Sequence, residues 1–154
     1  MPDVYRACAS ILVLRPKEGD VEVLLLHKPR KRDSWQLPQG GREEGETTEQ
    51  TALRELQEEA GLSVTVLGRS ARVYQYDFPP SYRRFRPDNV CGQRIEFVLA
   101  RAPDDAVITV DGREIDRFAW VKPQDLSRSI KRKEYLSIIR GLLEEGRELL
   151  RSSS

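Results

Sequence analysis

Apolar residues fall into a repeating pattern of short runs broken by turn residues. YRACASILVL, Tyr5 to Leu14, has the composition of a buried strand, and VEVLLLH, Val21 to His27, reads as a second, with PKEGD supplying a turn between them. A hairpin is therefore expected to open a sheet. Farther on, SVTVLGRSARVYQYDF predicts one long or bent strand through Val64, Val66, Val73, Tyr74 and Tyr76. GQRIEFVLAR, Gly92 to Arg101, predicts another, and EIDRFAWV, Glu114 to Val121, a last one after a loop around Pro103 to Asp105 and a turn at Asp111-Gly112. Helical periodicity appears twice. Thr47 and Gln50 form a capping-box pattern and Gly61 sits where a left-handed terminator belongs, which places a helix at about 47 to 60. KPQDL starts a short helix, and Tyr135, Ile138, Ile139, Leu142 and Leu143 then repeat at i, i+3, i+4, i+7 and i+8. Together these elements predict an α/β fold, a mixed sheet between the acidic helix and the C-terminal helix in an α/β/α sandwich.

Composition narrows the picture mainly by exclusion. At 154 residues the chain has the size of one domain, with a core expected at about 4 to 145 and a disordered tail from 147 to 154. Its 26 basic and 25 acidic side chains nearly cancel, so no overall field favours bulk nucleic acid or a membrane surface. No apolar run approaches the ~20 residues that span a bilayer, and MPDVYRACAS lacks a basic segment followed by an apolar one. A soluble cytoplasmic protein with no membrane and no stable protein partner is the expectation. Cys8 and Cys91 form no CxxC pair and read as reduced bystanders. His27, the only histidine, has no second histidine with which to build a metal site, which favours a structural role over a phosphate contact.

The helix at 47 to 60 carries the chemistry. At ~100° per residue Glu55, Glu58 and Glu59 share one face, with Arg54 beside Glu58, while Leu53, Leu56 and Ala60 lie opposite. Carboxylates this close repel unless a cation sits among them, and hard oxygen donors suit Mg²⁺ or Mn²⁺. A solvated acidic face is the plainer reading. The stretch from Gly40 to Leu62, however, resembles the Nudix box, G-x5-E-x7-R-E-U-x-E-E-x-G-U with U aliphatic, and fills every fixed position through Gly40, Glu46, Arg54, Glu55, Leu56, Glu58, Glu59, Gly61 and Leu62. That resemblance implies a Nudix fold and hydrolysis of a phosphoanhydride bond by water attack on phosphorus. It implies that Glu55, Glu58 and Glu59 hold divalent cations, that Arg54 orients them and that the Gly40 backbone shapes the site. Glu58 is the first choice of catalytic carboxylate, although which glutamate takes the proton stays open.

Other segments bear on the substrate. Lys28, Arg30, Lys31 and Arg32 precede the box and read either as a solvated turn or as a polyphosphate clamp. WQLPQGG, Trp35 to Gly41, resembles both the dinucleoside polyphosphate hydrolases and the bacterial RNA 5′-pyrophosphohydrolases, and Tyr5-Arg6 resembles the start of the latter, in which the arginine meets phosphate. The long connection PPSYRRFRPDNVCGQ interleaves Tyr82 and Phe85 with Arg83, Arg84 and Arg86, a composition suited to stacking bases and holding phosphates, or to pinning a loop while arginines face water. Tyr74 and Tyr76 stay open between core packing and a ligand platform. Glu114, Asp116, Phe118 and Trp120 resemble a Glu-x-Asp-x-aromatic-x-Trp stretch of the RNA enzymes, which implies Glu114 as a fourth metal ligand or the general base, against the plainer reading of an ordinary strand-edge acid. Lys131, Arg132 and Lys133 resemble a basic cluster near the phosphates, and at a helix start they oppose the helix dipole, which favours a function. The leading expectation is a Mg²⁺- or Mn²⁺-dependent pyrophosphohydrolase of dinucleoside polyphosphates such as diadenosine tetraphosphate. The alternative is removal of pyrophosphate from 5′-triphosphorylated RNA, with diphosphoinositol polyphosphates and a non-catalytic nucleotide sensor behind it.

Overall fold

The computed structural model describes residues 4–29, 34–80 and 90–152. Its first two strands, β1 (Val4–Lys17) and β2 (Asp20–His27), form the expected hairpin with Lys17 opposite Asp20. The two turn residues, Glu18 and Gly19, both take positive φ, 50° and 83°, which matches the twist of the flanking strands. The chain then returns as β3 (Trp35–Gln36) along β2 and β4 (Gln39–Gly41) along β1 at Cys8 to Ser10. Between them, Pro38 O accepts hydrogen bonds from Ile11 N and Ser10 Oγ, and Leu37 N donates to Tyr135 Oη at 2.9 Å. Two short strands are thus pinned to the core where they lead into the acidic helix.

Strands β5 (Thr65–Asp77) and β6 (Val90–Arg101) complete the middle of the sheet, and β7 (Arg117–Val121) pairs with β2. The order is β3-β2-β1-β6-β5, with β1 and β6 parallel over most of their length and the other pairs antiparallel, so the sheet is mixed as expected. β5 bends through register shifts between Val66 and Gly68 and between Arg69 and Val73. One boundary differs. The strand expected from Glu114 begins only at Arg117, because Asp111 Oδ1 accepts from both Arg113 N and Ile115 N and Gly112 N donates to Ile115 O. These bonds fold residues 111–115 into a turn.

Helix α1 (Thr48–Ala60) has the predicted caps: the Thr47 hydroxyl accepts from Gln50 N, the Gln50 side chain accepts from Thr47 N, and Gly61 adopts the left-handed conformation. A 3₁₀ turn at Pro123–Asp125 leads into the short α2 (Leu126–Ser129), and α3 (Lys133–Ser152) closes the chain. The tail expected from residue 147 is instead helical to Ser152, since Arg147 pairs with Asp20 and Leu149 and Leu150 pack against the core. Alternation along β1 assigns the two sides of the sheet. Cys8, Leu12 and Leu14 join Tyr135, Ile139 and Leu142 of α3, while Ala9, Ile11 and Val13 join Ala52, Leu56 and Ala60 of α1. Each fully buried aliphatic side chain contributes about 1.5–3 kcal/mol, so the sheet is held from both faces. Among the described residues no helix is long and apolar enough to cross a membrane.

Candidate active site

The loop between β4 and α1 and the helix itself assemble around Arg54. Its guanidinium uses all the N–H directions available to it. Nε donates to Glu46 Oε2 at 2.7 Å, Nη2 to Glu46 Oε1 at 3.0 Å and to Gly41 O at 2.9 Å, and Nη1 to Glu55 Oε1 at 2.9 Å with Glu58 at 3.4 Å. Glu46 also accepts from Glu43 N and from Thr51 Oγ1. Bonds from Arg54 and the Glu43 amide hold its carboxyl down to about 2, and Glu46 in turn keeps Arg54 firmly protonated. Arg54 therefore orients the site. Gly40 lies directly beneath Glu55: a Cβ there would sit 2.0 Å from Glu55 Cδ. Only glycine lets that carboxylate rest on the backbone.

Glu59 departs from the sequence picture. Expected on an exposed acidic face with Glu55 and Glu58, it is 1% exposed and turned toward the sheet with Thr48, Thr51, Ala52, Leu56 and Ala60. Standing three residues after Leu56, it falls on the edge of the apolar stripe, and the packing of α1 on β4 buries that edge. Its Oε1 accepts from Gln39 N at 3.0 Å, while Oε2 is buried with no hydrogen-bond partner among the described residues. Burial pushes its pKa up to about 8 against the Gln39 bond, with Glu55 and Glu114 raising it further and Lys28 opposing. Burial also raises Glu55, against its bond from Arg54. Glu58 stands at the rim, its side chain 58% exposed. Glu114 sits on the turn before β7, exposed, yet close enough for its charge to act on both Glu55 and Glu59.

Arg54 gathers Glu55 and Glu58 but not Glu59, which is bonded to Gln39, and no three acidic, histidine or cysteine side chains among the described residues converge as metal ligands do. The donor set nevertheless fits a divalent cation. It offers hard carboxylate oxygens and the backbone of Gly40, and it contains a buried, unpartnered Glu59 oxygen whose desolvation a positive charge would relieve.

Of the expected substrate contacts, Arg6 and Lys28 lie beside this cluster. A Cβ on Gly41 would meet Arg6 Nη2 at 2.2 Å, and the charges of Arg6, Glu55 and Lys28 all act on the buried thiol of Cys8. Tyr76 donates to Gln93 Oε1 at 2.6 Å and its ring lies 5.2 Å from that of Tyr74, which stacks at 5.6 Å on Tyr135. It is both core packing and half-open surface. Of the basic trio at the start of α3, Arg132 rather than Lys131 or Lys133 meets the aromatics among the described residues, its guanidinium 5.8 Å over Tyr76. Lys131 and Lys133 are exposed. Arg32, Tyr82, Arg84 and Phe85 lie outside the described residues. Sequence reasoning passed over Gln39, whose contribution is a backbone N–H and leaves no side-chain signal. It also gave no role to the pairing of His27 with Asp116, since 89 residues separate them.

A family model described as NUDIX domain matches residues 4–143. A protein of a Sulfurovum species named RNA pyrophosphohydrolase is 34% identical over 151 residues, covering 92% of this chain and 95% of that one. Another of that name from Hydrogenovibrio crunogenus is 39% identical over 127 residues, covering 77% and 74%. Among solved structures, a C. elegans Ap4A hydrolase binary complex superposes with a TM-score of 0.73 at 20% identity, covering 96% of this chain and 98% of that one.

Proposed function

The chain belongs to the NUDIX family and is a hydrolase of the pyrophosphohydrolase class, and from that premise we propose that it removes pyrophosphate from the triphosphorylated 5′ end of RNA. The observation that carries the chemistry is the buried, unpartnered oxygen of Glu59 beside Glu55 on the Gly40 backbone, a place that calls for a cation. The relatives at 34% and 39% identity favour RNA as the substrate. Dinucleoside polyphosphates, the leading expectation from the sequence, remain the competing substrate class, and the partly exposed Tyr76 beside Arg132 supports it, since a nucleobase can stack against such a pair.

Glu55, Glu58, Glu59 and Glu114, with the Gly40 backbone, would hold the divalent cations, Mg²⁺ first and Mn²⁺ as the alternative. When bound, such a cation lowers the pKa of water and neutralises phosphate charge. The protein's own groups do the rest. Arg54 fixes Glu55 and Glu46, which keeps the loop after Gly40 rigid. Glu58, exposed and only loosely held at 3.4 Å, is free to take a proton from the attacking water. Arg6 and Lys28 supply positive charge for the outer phosphates, and Arg132 with Tyr76 faces the nucleoside.

Triphosphorylated oligoribonucleotide and diadenosine tetraphosphate, offered separately with Mg²⁺, discriminate the substrates. Release of pyrophosphate from the RNA at the higher kcat/KM is expected; preferential formation of ATP and AMP would move the assignment to dinucleoside polyphosphates. Glu58→Gln should lower kcat by about 10²–10⁴-fold while substrate binding stays measurable.

A further inference from the structure

Glu114 is placed on a turn, not in a strand, so something other than the sheet ladder must hold it toward Glu55 and Glu59. Upstream, Thr109 N donates to Ala60 O at 2.9 Å and ties the approach to the end of α1. Downstream, the ladder between β2 and β7 ends at His27 opposite Arg117, and the next contacts belong to Asp116: its N–H donates to His27 O at 3.2 Å, and its Oδ1 lies 2.7 Å from His27 Nδ1.

His27 itself is fixed on every side. It is 8% exposed, its ring centroid lies 5.0 Å from that of Trp35, and the Arg117 guanidinium covers Trp35 at 5.5 Å. Arg117 Nη2 stands 3.1 Å from His27 Nε2. Arg117 Nη2 is also 3.3 Å from Nδ1, so the guanidinium lies against the ring without picking out one nitrogen, whereas the Asp116 carboxylate only accepts, so Nδ1 carries a proton and donates to it. The side chain at the end of β2 thus grips the residue two positions after Glu114.

We infer that His27 is a positioning residue for Glu114: its bond to Asp116 holds the 111–116 turn so that Glu114 stays near Glu55 and Glu59. The inference rests on the metal-dependent hydrolase reading above and assigns a purpose to a histidine that a core-filling role leaves unexplained. A histidine that merely filled space would destabilise the protein when removed, whatever residue stood at 114. A tether loses its effect once Glu114 has no charge to place.

The test is a double-mutant cycle of His27→Ala with Glu114→Gln, read by kcat and KM on triphosphorylated oligoribonucleotide and by calorimetric titration with Mn²⁺ in the absence of substrate. His27→Ala is expected to lower kcat on the order of tenfold with KM within about twofold, and to weaken Mn²⁺ binding by a similar factor. Both effects should vanish in the Glu114→Gln background. His27→Asn, whose amide can donate from near the Nδ1 position, should restore most of the loss. Equal losses in both backgrounds, or none in either, would overturn the inference. If the wild-type protein turned over neither substrate, the hydrolase reading would fail while the Mn²⁺ titrations still decided the tether. If His27→Ala did not fold, Asp116→Ala removes the same bond from an exposed position and enters the same cycle.

Discussion

Glu59 shows at the scale of one residue what the proposed cation site would cost in stability. Folding raises its pKa from an unfolded value of 4.5 to about 8, so the native state prefers the protonated acid. The contribution to stability is therefore fully present below pH 4.5 and is lost as the pH rises toward 8, up to an upper bound of several kcal/mol. Without divalent cations, Glu59→Gln should gain on the wild type in melting temperature by roughly 5–15 °C between pH 5 and pH 9. Identical pH profiles for the two proteins would show that Glu59 is not ionised in a desolvated place. Arg54 works the other way. Its bonds keep Glu46 ionised down to about pH 2, so the orienting frame outlasts any pH at which the site operates.

At the scale of elements, glycines mark where one piece of backbone or side chain approaches another, and what they touch decides the cost of filling them. A Cβ on Gly92 would lie 2.0 Å from Tyr76 O and 2.9 Å from Asp77 Cα, so β5 and β6 would have to separate. On Gly40 the obstacle is the end of the Glu55 side chain, which can swing away. Gly92→Ala is expected to cost about 1–3 kcal/mol, a fall of roughly 2–12 °C in thermal denaturation. Gly40→Ala should leave the melting temperature nearly unchanged while lowering kcat on the order of a hundredfold, because it displaces a carboxylate and no backbone. Reversal of that pattern would mean that Gly40 is structural. The same scale explains the boundary of β7: an Asp-Gly turn with one backbone hydrogen bond and two bonds to the Asp111 carboxylate outcompeted an apolar alternation that would have continued the strand to Glu114.

Across the whole molecule, the proposed cation site would draw Gly40 from β4, three glutamates from α1 and Glu114 from the turn before β7, elements that neighbour one another only when sheet, helix and turn are all in place. A divalent cation should then bind the folded chain and not the unfolded one. At a hundred times its Kd it adds about 2.7 kcal/mol, a rise of roughly 5–11 °C in melting temperature at pH 8, abolished by EDTA and reduced at pH 5, where protons occupy Glu59. No rise at pH 8 would contradict the ligand assignment. The sequence by itself determined most of the elements and the family: strand alternation, the Thr47–Gln50 box, the Gly61 stop and the nine fixed positions from Gly40 to Leu62 are all local signals, legible because they repeat or lie within one short stretch. Tertiary structure alone decided that Glu59 is buried with one oxygen unpartnered among the described residues, that Arg132 and not its lysine neighbours meets Tyr76, and that His27 reaches Asp116. Each depends on how far one element sits from another, and a periodic pattern records which way a side chain points but not what it will meet there.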